Sequence, residues 1–407
     1  MGYAAARGGL DAVVAAEDLV RRGRTVGDSA WLGTDQLVDR LRLAVDRVMG
    51  EAGLWCPELA AAALRQAEGD PIEAAHLLRS YRATLPRFAY TEPTDTDRGV
   101  VLRRIVPAYR NPPGPQLLGR TTDYTGRLLD LTSEHDARTE AEKLAALAWE
   151  TAGLDDATGD VMGDETDPEI GHDDGHDDGS VRRPRRLLEV LRDADLVVDR
   201  RRTDDPEPVD ITRVPARPPA PRSARLAVMA RAETGALVNL WYRNILGPDG
   251  YLHEITLGDV RHARLPVTIA HPITGGSVTI GHVRVTEVEA IEDLDGIDED
   301  RTKFDVGYGL CLGHNERKAI AMANLDIACH RDAGASQLEQ SILLTTDGLD
   351  AAGFLEHLKL PHYVTFRSMV ERKEAVRAAA ATSVRDAAPI DHLVGLVPVD
   401  PVEGDCA

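Results

Sequence analysis

The spacing of apolar residues changes period along this chain, and that change constrains the fold more than any other feature. Through residue 90 they recur at helical intervals, over residues 12–20, 34–49, 57–67 and 71–84. Pro57 and Pro71 stand where a helix would begin, and Asp70 is suited to cap the segment that follows it. Residues 98–106 read as a strand, Asn111-Pro-Pro-Gly-Pro115 as a turn, and 132–149, 187–199 and 223–233 as helices, with Ser223 a cap for the last. From 236 to 291 alternation takes over: residues 237–242, 265–269 and 277–288 read as strands, and Gly275-Gly276 fits a hairpin turn. Helices return at 348–357 and 363–381. Helices first and strands later predict an α+β fold, with a helical N-terminal region followed by a mixed strand/helix C-terminal half.

Composition narrows the class. Aromatic residues are 4% of a chain that is 43% hydrophobic, so the core must be built from Ala, Leu, Val and Ile. No run of about 18 apolar residues could form a membrane span, and Asp11 and Glu17 interrupt the first apolar stretch, so neither a transmembrane helix nor a signal peptide is expected. A cytoplasmic protein follows. Cys56, Cys311, Cys329 and Cys406 form no CxxC pair, which argues against a disulfide framework, an all-cysteine zinc site or an iron–sulfur cluster held by this chain alone. A net charge of −21 argues against nonspecific nucleic-acid or anionic-membrane binding, though a local basic pocket could still take an anionic substrate.

Four regions are expected: a mainly helical region over 1–152, an acidic, His-containing insertion over 153–185, a mixed α+β region over 186–385, and a flexible tail over 386–407. The insertion includes Gly171-His-Asp-Asp-Gly-His-Asp-Asp-Gly179. Its carboxylates and imidazoles could ligate metal, but its like charges repel and it can bury little, so disorder is expected.

Two segments could carry chemistry. In Phe304-Asp-Val-Gly-Tyr-Gly-Leu-Cys-Leu-Gly-His-Asn-Glu-Arg-Lys318, glycines at 307, 309 and 313 lead toward a helix opening near Asn315. A glycine-rich turn at a helix start can approach an anion, and Arg317 and Lys318 in the first turn would suit a phosphate. The same pattern fits packing glycines in a plain strand–turn–helix connection. In His357-Leu-Lys-Leu-Pro-His362, proline would end one helix and start the next, which could bring two imidazoles together. A capping His357 and a surface His362 fit as well, and zinc usually takes four ligands.

Read in order, several blocks resemble the I subunit family of the carbon–phosphorus lyase core complex, PhnI. They are Gly8-Gly9, Leu43-Ala-Val-Asp-Arg-Val-Met49, Glu73-Ala-Ala-His-Leu-Leu-Arg-Ser-Tyr81, Gln116-Leu-Leu-Gly119 with Asp123-Tyr-Thr125, Gly307-Tyr-Gly-Leu310 with Glu316-Arg-Lys-Ala-Ile-Ala-Met322, and Ala352-Gly-Phe354 with His357-Leu-Lys-Leu-Pro-His-Tyr-Val364. The resemblance implies a subunit in phosphonate catabolism. With subunits G, H and L it would displace adenine from Mg-ATP by an alkylphosphonate, giving ribose 1-phosphonate 5-triphosphate; alone it would be a purine nucleosidase. Subunits J and K complete the implied partners.

The resemblance also implies zinc, with His357 and His362 as ligands near subunit J. The substrate-binding candidates are Gly307, Gly309, Arg317, Lys318 and Lys359, which would meet the phosphates, and the catalytic carboxylate candidates are Asp123 and Glu316. Displacement at an anomeric carbon passes through an oxocarbenium-like state, which needs nearby negative charge, an acid for the departing base and cations for the phosphates. Two other roles stay open: a structural subunit lending metal ligands to a site of subunit J, and an independent zinc hydrolase.

Overall fold

The computed structural model describes residues 8–121, 128–150, 185–198, 207–246, 255–293, 302–331 and 336–386. Asp123, residues 153–184 of the expected insertion and residues 387–407 of the expected tail lie outside these described residues. The chain divides into two compact units, one of residues 30–352 and one of residues 1–29 with 353–407. Among the described residues, no helix is long and apolar enough to cross a membrane.

In chain order, α1 (Gly9–Gly23) belongs to the smaller unit, and α2 (Thr34–Arg40), α3 (Arg42–Ala52), α4 (Pro57–Gln66) and α5 (Pro71–Thr84) open the larger one. The expected helix over 34–49 is two helices, because Leu41 takes φ −113° and ψ 38°, outside the helical region. Pro57 and Pro71 open α4 and α5, where a missing N–H costs nothing. Asp70 caps α5, accepting from the N–H groups of Ile72 at 2.8 Å and Glu73 at 3.3 Å. Val45, Val48, Met49, Ala60, Leu64, Ala75 and Leu78 form the buried seam of α3, α4 and α5.

Next come β1 (Val100–Ile105), α6 (Glu134–Glu150), α7 (Leu187–Asp193), α8 (Arg222–Arg231) and α9 (Thr234–Leu246). The α9 helix corrects the expectation of a strand over 237–242. Leu237, Leu240 and Trp241 stand at i, i+3 and i+4 and meet the core together, as only a helix allows. The Glu233 carboxylate favours that helix by accepting from the N–H groups of Gly235 at 2.7 Å and Ala236 at 2.6 Å. Ser223 lies inside α8 rather than capping it.

The sheet is an antiparallel meander of β1, β2 (Ile255–Ala270), β3 (Ser277–Asp293) and β4 (Phe304–Leu312), in that spatial order. The β2–β3 hairpin turns at His271 to Gly276, with Gly275 at φ +72° as expected of that glycine pair. The remaining helices are α10 (Glu316–Arg331), α11 (Gln337–Thr345), α12 (Gly348–His357) and α13 (Tyr363–Asp386), the last in the smaller unit. The fold is α+β.

Gly307 and Gly309 do not form a turn, contrary to expectation. They lie within β4, paired with Ala290 and Val288. A Cβ on Gly307 would overlap the Ala323 carbonyl of α10, and one on Gly309 the Ala319 carbonyl. They are therefore packing glycines that let α10 lie against the sheet, and neither offers a backbone cradle to an anion. Val260, Val288, Cys311, Met322, Leu325 and Ile327 fill that interface.

The opposite face of the sheet is covered partly by α7, through Leu187, Leu188 and Leu191, and partly by paired charges. There Arg104 meets Asp259 at 2.5 Å, and Arg186 spans Glu287 at 3.1 Å and Glu289 at 2.9 Å.

Candidate functional site

The larger unit carries a cavity of about 420 Å³ on the α10 side of the sheet. It is lined by Arg42, Arg103, Arg120, Arg284, His262 and His314, with Leu102, Val285, Gly119 and Gly313 completing the wall. Four guanidinium groups in one concavity of a chain with net charge −21 make a local field opposite to the global one.

The strands set this row of side chains. Arg103 on β1 is paired with His262 on β2, and His262 with Thr286 on β3, so all three point to one face. The turn after β4 supplies His314 and, at the start of α10, Glu316. Gly313 takes φ +77°, and a Cβ there would press on Asp46 of α3, so this glycine is required by both conformation and space. Asp46 is fully buried and holds the turn from below: it accepts from the His314 N–H at 2.9 Å and from Arg284 at 2.9 Å.

Glu316 is the electrostatic centre. Its Oε1 accepts from Arg103 Nε at 2.6 Å and lies 3.0 Å from His262 Nε2. Burial opposes its charge, but the hydrogen bonds with His262 and Arg103 outweigh that and hold its pKa at about 2. The His314 ring stacks against His262 with centroids 3.7 Å apart, and its Nδ1 accepts from Arg42 at 2.8 Å. Burial, then His262 and Arg42, push His314 down to about 3, so it is neutral.

His262, His314 and Glu316 bring ligand atoms within 4.8 Å of one another and could be considered for a metal. Their hydrogen bonds tell against it. Arg42 occupies the Nδ1 lone pair of His314, Arg103 occupies Glu316, and four cationic side chains line the same cavity. The arrangement suits an anion above an acid/base pair.

Of the other residues singled out from the sequence, Arg317 is exposed, whereas Lys318, next to it on α10, is fully buried. The Lys318 Nζ has no hydrogen-bond partner among the described residues, and burial lowers its pKa. The two cations therefore do not form a shared phosphate clamp. In the smaller unit, Lys359 is exposed and pairs with Glu356 at 2.7 Å.

The smaller unit also holds the two expected zinc ligands. The chain leaves helix after His357 and re-enters at Tyr363, with Pro361 in the gap. The two exposed imidazoles meet edge to face, with centroids 5.2 Å apart. His362 Nδ1 lies 2.5 Å from the Leu360 carbonyl, to which it donates, leaving Nε2 as the outward lone pair. Two imidazoles so disposed fit two of the four ligands zinc takes.

Sequence reading missed His262, His314 and the four arginines. A polar Arg-His pair inside the β2 alternation and the His two residues before Glu316 were the available signals; the arginines come from separate elements and had none.

The family model for Bacterial phosphonate metabolism protein (PhnI) matches residues 2–380. The chain is 38% identical over 402 residues to a Stutzerimonas stutzeri protein named as C-P lyase subunit protein HtxH, covering 96% of this chain and 100% of that one. It is 36% identical to the alpha-D-ribose 1-methylphosphonate 5-triphosphate synthase subunit PhnI of Rhizobium meliloti (strain 1021), over 95% of this chain and 100% of that one. It is 37% identical to the subunit of the same name from Escherichia coli (strain K12), over 91% and 96%.

Proposed function

The chain belongs to the PhnI family of bacterial phosphonate metabolism proteins, and on that premise we propose that its arginine-lined cavity is where adenine is displaced from Mg-ATP by an alkylphosphonate, or by water when the chain acts alone. The observation that carries this reading is the joining of Arg42, Arg103, Arg120 and Arg284 with His262 in one cavity, with Glu316 behind them in contact with Arg103 and His262. Guanidinium groups suit the oxygens of a triphosphate, which they can grip in a planar fork. The Glu316 carboxylate stays ionised and supplies negative charge toward an oxocarbenium-like ribose. A protonated His262 would supply the proton the departing purine needs.

As a member of a lyase complex, the chain would work with subunits G, H and L for the transfer and with J and K beyond it, in the cytoplasm. A second role rests on a separate observation, the His357–His362 pair. We propose that these imidazoles hold zinc, completed by solvent, substrate or subunit J; when bound, the ion would supply Lewis-acid polarisation of an oxygen ligand.

The test is chromatographic. Purified chain with Mg-ATP should release free adenine. Glu316→Gln should lower turnover by roughly 100-fold, the scale of a lost acid/base partner. Arg42→Met with Arg284→Met should act mainly on KM. Release of inorganic phosphate without adenine would overturn the reading.

A further inference from the structure

The buried hydroxyl of Thr286 fixes a proton on one nitrogen of His262. Thr286 is fully buried on β3, directly across the ladder from His262. Its Oγ1 meets the Gly313 carbonyl at 2.6 Å, the Asn315 N–H at 2.9 Å and His262 Nδ1 at 2.9 Å, and the Cys311 thiol also lies against it. A hydroxyl has one proton to give and two lone pairs to receive with. The carbonyl can only accept, and a 2.6 Å approach between two oxygens requires a proton between them, so the hydroxyl proton goes to Gly313. The Asn315 N–H uses one lone pair. His262 can then meet the other only as a donor.

We infer that Thr286 is a positioning residue that holds His262 as the Nδ1–H tautomer and so aims Nε2 at Glu316 as the atom that carries the site's exchangeable proton. Nε2 lies 3.0 Å from Glu316 Oε1, an oxygen that already accepts from Arg103. That contact is a hydrogen bond only when Nε2 also bears a proton, which makes His262 the imidazolium partner of an ionised carboxylate.

The tautomer follows from local geometry alone; its use in catalysis rests on the function proposed above. In that use the bond from the anomeric carbon to the purine breaks, and its electron pair goes to the purine. The Nε2 proton passes to a purine ring nitrogen, and a phosphonate oxygen, or a water oxygen that gives up one proton to solvent, forms the new bond to the anomeric carbon. His262 is left neutral, with Nδ1–H still donating to Thr286. Buried partners of this kind orient a ring as the outer carboxylate or carbonyl orients a metal-bound histidine.

The test uses the full chain with ring-15N histidine. Two-bond 1H–15N spectra identify the His262 signals by their loss in His262→Gln. In the wild type, read at a pH high enough that Nε2 has lost its proton, Nδ1 should keep a protonated, pyrrole-type shift; a pyridine-type Nδ1 overturns the inference. Thr286→Val should shift His262 toward the other tautomer and lower adenine release by roughly 10–100-fold, while Thr286→Ser, which keeps the hydroxyl, restores both. Unchanged release in Thr286→Val, or no rescue by Ser, overturns the positioning role. Should Thr286→Val fail to fold, the wild-type spectrum and the serine variant still decide. A wild-type chain that releases no adenine overturns the proposed function instead, and the wild-type spectrum still decides the tautomer.

Discussion

Single residues in this chain take their properties from what surrounds them. Glu316 and Glu289 are both glutamates near arginine, yet burial and partners drive them apart. Glu316 is held at about 2 by His262 and Arg103. Glu289 is pushed up to about 7 by burial, with Asp259 and Glu287 adding to the rise and Arg186 opposing it. Its Oε2 has no hydrogen-bond partner among the described residues. A carboxyl raised in the folded state binds a proton that the unfolded chain has released. Its stabilising contribution is therefore full below the unfolded value of about 4.3 and is lost as pH rises through about 7. Urea denaturation of the wild type and Glu289→Gln, from about pH 5 to about pH 9, should show the wild type losing stability relative to the variant as pH rises. Parallel curves would mean that Glu289 is ionised throughout.

At the scale of elements, the sequence periods identify most helices and the long hairpin, and they fail where local pattern is ambiguous. The short run from Leu237 to Tyr242 can be read with either period, and packing of Leu237, Leu240 and Trp241 into one core decides for helix. The glycines of β4 were a second ambiguity. Glycine marks both turns and close approaches, and only the position of α10 separates them. Gly309→Ala should therefore force β4 and α10 apart and cost about 1–3 kcal/mol, the usual range for overpacking. A thermal melt checks it, and no loss of stability would mean that the helix can shift without strain. Asp70 was legible in full, because a cap needs only its own next residues: Asp70→Ala should cost about 1 kcal/mol in urea denaturation.

At the scale of the whole molecule, the balance of charge and the distribution of charge point in opposite directions. A net charge of −21 opposes the approach of an anion, whereas four arginines in one cavity favour it there. The two can be told apart with salt. If the arginines control binding, KM for ATP should rise with ionic strength; if the global field controls it, added salt should screen the repulsion and lower KM.

The sequence by itself determined the fold class, the Asp70 cap, the hairpin, the family and the paired histidines around Pro361, because each of these is written in neighbouring residues or in an ordered set of short blocks. It also singled out Glu316, as a candidate catalytic carboxylate without partners. Only the tertiary structure decided what Glu316 works with. Arg42 stands at the head of α3, Arg103 on β1, His262 on β2, Arg284 on β3 and His314 after β4. Strand register and the crossing of α3 bring them together, over separations in sequence that no local period spans. The same register set Lys318 in the core and Arg317 in solvent, since adjacent residues on a helix point about 100° apart.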